Sequence, residues 1–303
     1  MNTINNPIFL VGCPRSGTTL LQQMLDAHPA VAIAPETHFM HYFWDRRDSY
    51  GNLNIESNYQ KILDNLTDLP EFSEMRLSEA DFRSAAITNL RNYGALLSLL
   101  LEQFANHRNV KVVGEKTPNH VLYLPILKKF FPSARFVHIV RDPRAVVNSW
   151  RSVPWSNGNL TQDAQAWRAH VAAPRRCNDE VKSALFTLSY EKLVREPEAV
   201  LHSLCEFLEL EFTPQMLTYH QTNSPLVNVS REPWKAGAVK PVSHAPLYRW
   251  QTQLSPEAIA EIEAVTWWEM RHYGYQAQTN LARLLPLAVG KTFQRRYLRL
   301  NCK

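Results

Sequence analysis

Pro7-Ile8-Phe9-Leu10-Val11-Gly12-Cys13-Pro14-Arg15-Ser16-Gly17-Thr18-Thr19 decides the fold. Its first six residues are a short apolar run ended by glycine, the pattern of a strand buried on both faces. From Gly17 to Ala27, Leu20, Leu21, Met24 and Leu25 recur at helical spacing, until His28-Pro29 stops the pattern. Between strand and helix the glycines stand at G-x4-G, the spacing of a phosphate loop. Backbone N–H groups at such a helix start, backed by the helix dipole, bind anionic oxygens. A nucleotide triphosphatase needs Lys after the second glycine, and here that position is Thr18. Positive charge comes instead from Arg15, whose guanidinium can grip two oxygens of one anion. A strand-to-helix turn with hydroxyls serving only as caps is the simpler alternative, but Arg, Ser and two Thr exceed what a cap needs.

Further strands are expected at Ala30–Ala34, Val110–Gly114, Ala134–Val140 and Ala184–Ser189. Helices are expected at Gly94–His107, Asn119–Phe130, from Pro143, at Asp163–Ala172, around Pro197–Leu208 and at Pro256–Arg271 behind the cap Ser255. The Trp267-Trp268 pair reads as part of that last helix's buried stripe. Residues 222–249, with four prolines, read as a long loop of functional character. The alternation predicts an α/β fold: a P-loop-type parallel β-sheet flanked by helices, ligands sitting at the strands' carboxyl ends. Without a Gly/Ser linker, residues 1–280 are expected to form a single domain with a helical insertion at 37–108.

The block Val137-His138-Ile139-Val140-Arg141-Asp142-Pro143 ends a strand on an arginine, with Ser149 about two helical turns beyond. Both can face one anion; a kinase would place a magnesium-organising Asp directly there. With the PRSGTT loop, this block resembles the sulfotransferases that use 3′-phosphoadenosine 5′-phosphosulfate (PAPS), and among them the tyrosylprotein sulfotransferase-like branch. The resemblance runs in short blocks from residue 7 to 275. It implies that Pro14, Arg15, Ser16, Gly17, Thr18 and Thr19 hold the 5′-phosphosulfate, and that Arg141 and Ser149 take the 3′-phosphate. Tyr190, after the fifth strand, would lie by the nucleotide, and Lys240, in Val239-Lys240-Pro241-Val242, would close over the donor phosphates. Glu36, in Ala34-Pro35-Glu36-Thr37-His38, is assigned as general base, with His38 as its competitor. Lys116, in Glu115-Lys116-Thr117-Pro118, and Arg15 would stabilise leaving-group charge. The resemblance implies PAPS as co-substrate, no metal, and a hydroxyl-bearing acceptor: peptide tyrosine, a carbohydrate or a small metabolite. The alternatives are a P-loop kinase or hydrolase and a non-catalytic anion- or membrane-binding module.

Composition narrows the partners. With 45% apolar and 20% charged residues, the 303-residue chain reads as globular. The net charge of +5 is local: six of the 33 basic residues fall in the acid-free stretch Leu281–Lys303, and the remaining 27 nearly balance the 28 acids. No nucleic-acid partner is expected, and 281–303 is read as a basic C-terminal tail able to dock on the protein or touch an anionic membrane surface. The oligomeric state is left open. Cysteines at 13, 177, 205 and 302 show neither zinc nor disulfide spacing. The polar start and the lack of any run of about 18 apolar residues lead to a cytoplasmic expectation.

Overall fold

The computed structural model describes residues 6–280 except Asn157, 223–226 and Asn228. The basic segment 281–303, with its expected membrane contact, lies outside the described residues.

Five strands form one parallel sheet: β1 (Ile8–Gly12), β2 (Val31–Ala34), β3 (Val112–Lys116), β4 (Arg135–Val140) and β5 (Leu185–Ser189), in the order β2-β3-β1-β4-β5. This is the predicted α/β class, with strand bounds within two residues of expectation. Continuous apolar runs made the strands legible because β1, β2 and most of β4 are buried on both faces. β1 is central: Leu10 is in register with Lys116 of β3 and with Val137 of β4. The chain builds one side of β1 with β2 and β3, then crosses to build the other with β4 and β5. The point of reversal is where an α/β sheet opens a crevice at its carboxyl edge.

Helix α1 (Thr18–Asp26) follows β1 directly and buries Leu20, Leu21, Met24 and Leu25. One face of the sheet packs against α1 and the helix Pro197–Leu208, through Leu10, Ile33, Val137 and Leu201. The other face, with Phe9, Val11 and Ala34, shares its core with helices Glu56–Thr67, Glu79–Ile87 and Tyr93–Arg108. The residues between β2 and β3 thus cover the sheet rather than forming a separate core.

Three expectations change. Residues 119–130 form a 3-10 segment, Pro118–Tyr123, followed by the helix Leu124–Phe130, because Pro125 has no N–H to donate inside one continuous helix and fits instead in the first turn of a new one. The expected loop 222–249 contains a 3-10 segment, Pro233–Val239, and the helix Ala245–Gln253. Prolines 233 and 246 stand in the first turn of these elements, where proline starts a helix rather than breaking one. Trp268 is 75% exposed, not core. Adjacent helical residues point about 100° apart, and the helix Pro256–His272 turns Ile262, Val265 and Met270 inward instead.

Candidate active site

The sequence motifs converge where the strands end. Behind β1 the loop bends back on itself, Ser16 N donating to the Cys13 carbonyl at 3.1 Å, and Gly17 N-caps α1 in the left-handed region at φ 99°. A β-carbon on Gly17 would lie 2.3 Å from the Tyr190 ring, so this position needs glycine twice over, for conformation and for space. Tyr190 opens the short helix Tyr190–Arg195 after β5, and its buried ring lies beneath the Arg141 guanidinium at 4.4 Å.

Arg141 ends β4. It donates to the Arg15 carbonyl at 3.0 Å and to the Pro246 carbonyl at 2.7 Å, which ties the loop to the helix Ala245–Gln253. Its own carbonyl takes the Trp167 indole N–H at 2.9 Å. Arg15, also in the left-handed region, donates from Nε to Ser149 Oγ at 3.1 Å and from Nη2 to the Trp234 carbonyl at 2.6 Å. Burial and the neighbouring Arg141 lower the Arg15 pKa to about 10, so it remains a cation at neutral pH. Arg15, Gly17, Thr18, Thr19, Arg141, Ser149, Tyr190 and Lys240 all line one cavity of about 1200 Å³. Two buried groups here, Ser16 Oγ and Arg141 Nε, have no hydrogen-bond partner among the described residues. Uncompensated buried donors are costly, and anionic oxygens would satisfy them. Asp142 is fully engaged elsewhere: it caps the helix Pro143–Trp150 and pairs with Arg144 at 2.6 Å, so it is not poised as a magnesium-organising carboxylate.

A second cluster surrounds Glu36, just past β2. Glu36 Oε1 accepts from Nζ of Lys116, at the end of β3, and from Nζ of Lys235 at 2.9 Å. Lys235 also binds Glu232 at 2.7 Å. His38 Nε2 lies 3.5 Å from Glu36 Oε2. Burial pushes the Glu36 carboxyl up, but Lys116, Lys235 and His38 outweigh it and hold it well below the usual carboxylate range. Burial lowers the Lys116 ammonium, against the pull of Glu36, and lowers His38 as well. The turn carrying Glu36 is fixed from below by Glu115, which is fully buried. Glu115 accepts from the Thr37 backbone at 3.1 Å, the Thr37 hydroxyl at 3.0 Å, the Thr117 hydroxyl, and His120 Nδ1 at 2.9 Å.

The two clusters meet through Pro233–Val239. Trp234 gives its carbonyl to Arg15 and Lys235 gives its ammonium to Glu36. Arg15, Ser16, Gly17, Thr18, Thr19, Arg141, Ser149 and Tyr190 lie around the loop and its cavity, Glu36, His38 and Lys116 in the second cluster, and Lys240 is exposed at the cavity wall. Lys235 and Trp234 were not singled out. The local signal for them was slight, a Glu232–Lys235 pair at i, i+3 within a proline-bearing segment.

The fold and its cation-lined crevice define a P-loop-type α/β protein built to hold a substrate rich in anionic oxygen. The chain belongs to the sulfotransferase family: the model described as Sulfotransferase family matches residues 7–214. Its chemistry is therefore sulfuryl transfer, and the relatives it matches include protein-tyrosine sulfotransferases. Protein-tyrosine sulfotransferase A of Caenorhabditis elegans is 29% identical over 283 residues, covering 90% of this chain and 68% of the relative. The Drosophila melanogaster protein-tyrosine sulfotransferase is 28% identical over 273 residues, 84% of this chain and 49% of its own length. Among solved structures, the sulfotransferase domain from the curacin biosynthetic pathway superposes with a TM-score of 0.64 at 20% identity, covering 91% of this chain and 99% of that one. The sulfotransferase domain of the Synechococcus olefin synthase gives 0.61 at 23% identity, with 94% and 95% covered. These two establish a shared fold.

Proposed function

We propose that this enzyme uses PAPS as donor and a hydroxyl of a peptide tyrosine as acceptor. The observation that carries the reading is the placement of a carboxylate–ammonium pair, partly buried Glu36 and buried Lys116, beside a phosphate-type loop whose charge is an arginine. The two orphaned donors, Ser16 Oγ and Arg141 Nε, suit the phosphate and sulfuryl oxygens that such a donor brings. PAPS supplies the activated sulfuryl group. Arg15, Ser16, Thr18 and Thr19 hold its 5′ end, while Arg141 and Ser149 select the 3′-phosphate that separates it from ATP.

Glu36 takes the acceptor's proton as the acceptor oxygen bonds to sulfur and the bond from sulfur to the 5′-phosphate oxygen breaks. Lys116 and Arg15 stabilise the negative charge that collects on the departing phosphate. The protein-tyrosine names of the relatives favour a phenolic acceptor over a carbohydrate. The test has two arms. Calorimetry is expected to show adenosine 3′,5′-bisphosphate binding more tightly than ATP, and the reverse order refutes the donor. Glu36→Gln is expected to lose at least about 100-fold in transfer to a tyrosine-containing peptide while still binding adenosine 3′,5′-bisphosphate. Unchanged turnover transfers the base to His38.

A further inference from the structure

Glu36 carries two ammonium groups on a single oxygen. Lys116 reaches Oε1 from the end of β3, and Lys235 reaches the same atom at 2.9 Å from Pro233–Val239. The other oxygen is treated differently: its ion-pair neighbour is His38 Nε2, at 3.5 Å, too long for a good hydrogen bond. Lys235 is as deliberately placed as the residue it holds. Its side chain is 12% exposed, and Glu232 offsets its charge at 2.7 Å. Its neighbour Trp234 is bonded to Arg15 at 2.6 Å, so the segment is anchored to the phosphate loop.

One lysine alone would face conflicting demands. Lys116 is required near the leaving oxygen as charge develops there, and it is also a hydrogen bond that orients the base. A carboxylate that lost its only partner at that moment would be free to rotate about its last side-chain bond, a broad and soft torsion.

We propose that Lys235 is a positioning residue for the base: it keeps Oε1 occupied when Lys116 is drawn to the leaving oxygen, and so keeps Oε2 presented to the acceptor hydroxyl. The inference rests on the reading of Glu36 as the base. The charged and titratable groups facing Glu36 are Lys116 from β3, Lys235 and, behind it, Glu232 from the 3-10 segment, His38 from its own turn, Tyr42 from the helical turn that follows, and Arg15 from the phosphate loop. Burial lowers the ammonium of Lys116, whereas Lys235 is raised: burial opposes its charge, but Glu36 and Glu232 together outweigh that cost. Lys235 is thus the partner better suited to stay.

The test compares Lys235→Met and Lys235→Arg, using PAPS and a tyrosine-containing peptide across pH. For Lys235→Met the acid limb of kcat/KM is expected to move up by about one pH unit, because an opposite charge beside the carboxylate is lost. Its kcat is expected to fall about tenfold or more, and by more than KM for the donor rises. Lys235→Arg is expected to restore both the limb and most of kcat. A readout independent of turnover is the carboxyl ¹³C titration of Glu36 in the donor-free protein, assigned by its disappearance in Glu36→Gln. Its midpoint is expected to rise in Lys235→Met and not in Lys235→Arg. An unmoved midpoint, or equal loss of activity in both variants with an unmoved limb, overturns the proposal and leaves Lys235 a packing residue. If Glu36→Gln still transfers, the assignment of the base has failed instead, and the two failures are told apart by that variant.

Discussion

Gly17→Ala should damage the phosphate loop twice, and the two injuries can be separated. The backbone at Gly17 sits at φ 99°, where an L-residue is strained by about 1–2 kcal/mol. The new methyl group would also lie 2.3 Å from the Tyr190 ring, far inside contact distance. That ring cannot swing away cheaply, since it is buried and Arg141 covers it at 4.4 Å. Overpacking of this kind costs about 1–3 kcal/mol. The sum, roughly 2–5 kcal/mol, corresponds in a chain of this length to a fall in melting temperature of about 3–8 °C. Scanning calorimetry measures the fall, and titration with adenosine 3′,5′-bisphosphate measures the accompanying loss at the anion site. Tyr190→Ala removes the clash but not the strained φ. In a double-mutant cycle the overpacking component, about 1–3 kcal/mol, should therefore appear as coupling between the two sites. A Gly17→Ala protein that melts within about 1 °C of the parent, or a cycle with no coupling, refutes the reasoning.

Two further outcomes concern pH. His138 in β4 is fully buried, and burial, with His170 nearby, lowers its pKa to about 3, so it is neutral in the folded protein. The unfolded chain takes up that proton first as pH falls, so stability present above about pH 6.5 is lost on descent toward pH 3, at up to about 1.4 kcal/mol per pH unit. Denaturant titrations of His138→Phe should show that slope reduced, and an unaltered slope counts against the assignment. The Glu115 carboxyl is pushed up by burial but brought net below its ordinary value by His120, Thr117 and Thr37. Its contribution is present above about pH 4.5 and is lost as pH falls through the lower folded value. Glu115→Ala is accordingly expected to cost about 3–5 kcal/mol at pH 7, with the difference from the parent shrinking in acid.

The sheet and its loop could be read in the chain because their causes are local. Ile8–Gly12 and Arg135–Val140 are apolar runs with little alternation, and G-x4-G fixes a turn by spacing alone. Sheet order could not be read, since nothing in a crossover says on which side of β1 the next strand lands. Lys235 was hidden for a related reason. Its partner Glu36 is 199 residues away, and only folding brings them together. Trp268 misled because hydrophobicity was weighed without phase: the helix's buried stripe passes through Ile262, Val265 and Met270. The segment 222–249 was read as a long loop on account of its four prolines, although Pro233 and Pro246 begin the elements that seat Trp234, Lys235 and the Arg141 contact.

Glu115 fastens the chain on both sides of a long excursion. Immediately after Thr37 the backbone leaves for the helices that run to Arg108, and it re-enters the sheet at Val112. Because Glu115 grips Thr37 at the exit and stands within β3 at the return, Glu36 and Lys116 are tied to each other directly across the sheet edge. The excursion is a cover over one sheet face, pinned at both ends by the same carboxylate. Its solvent-facing residues can vary without moving the pair of charges beneath it, whereas its buried faces, which share the sheet's core, cannot.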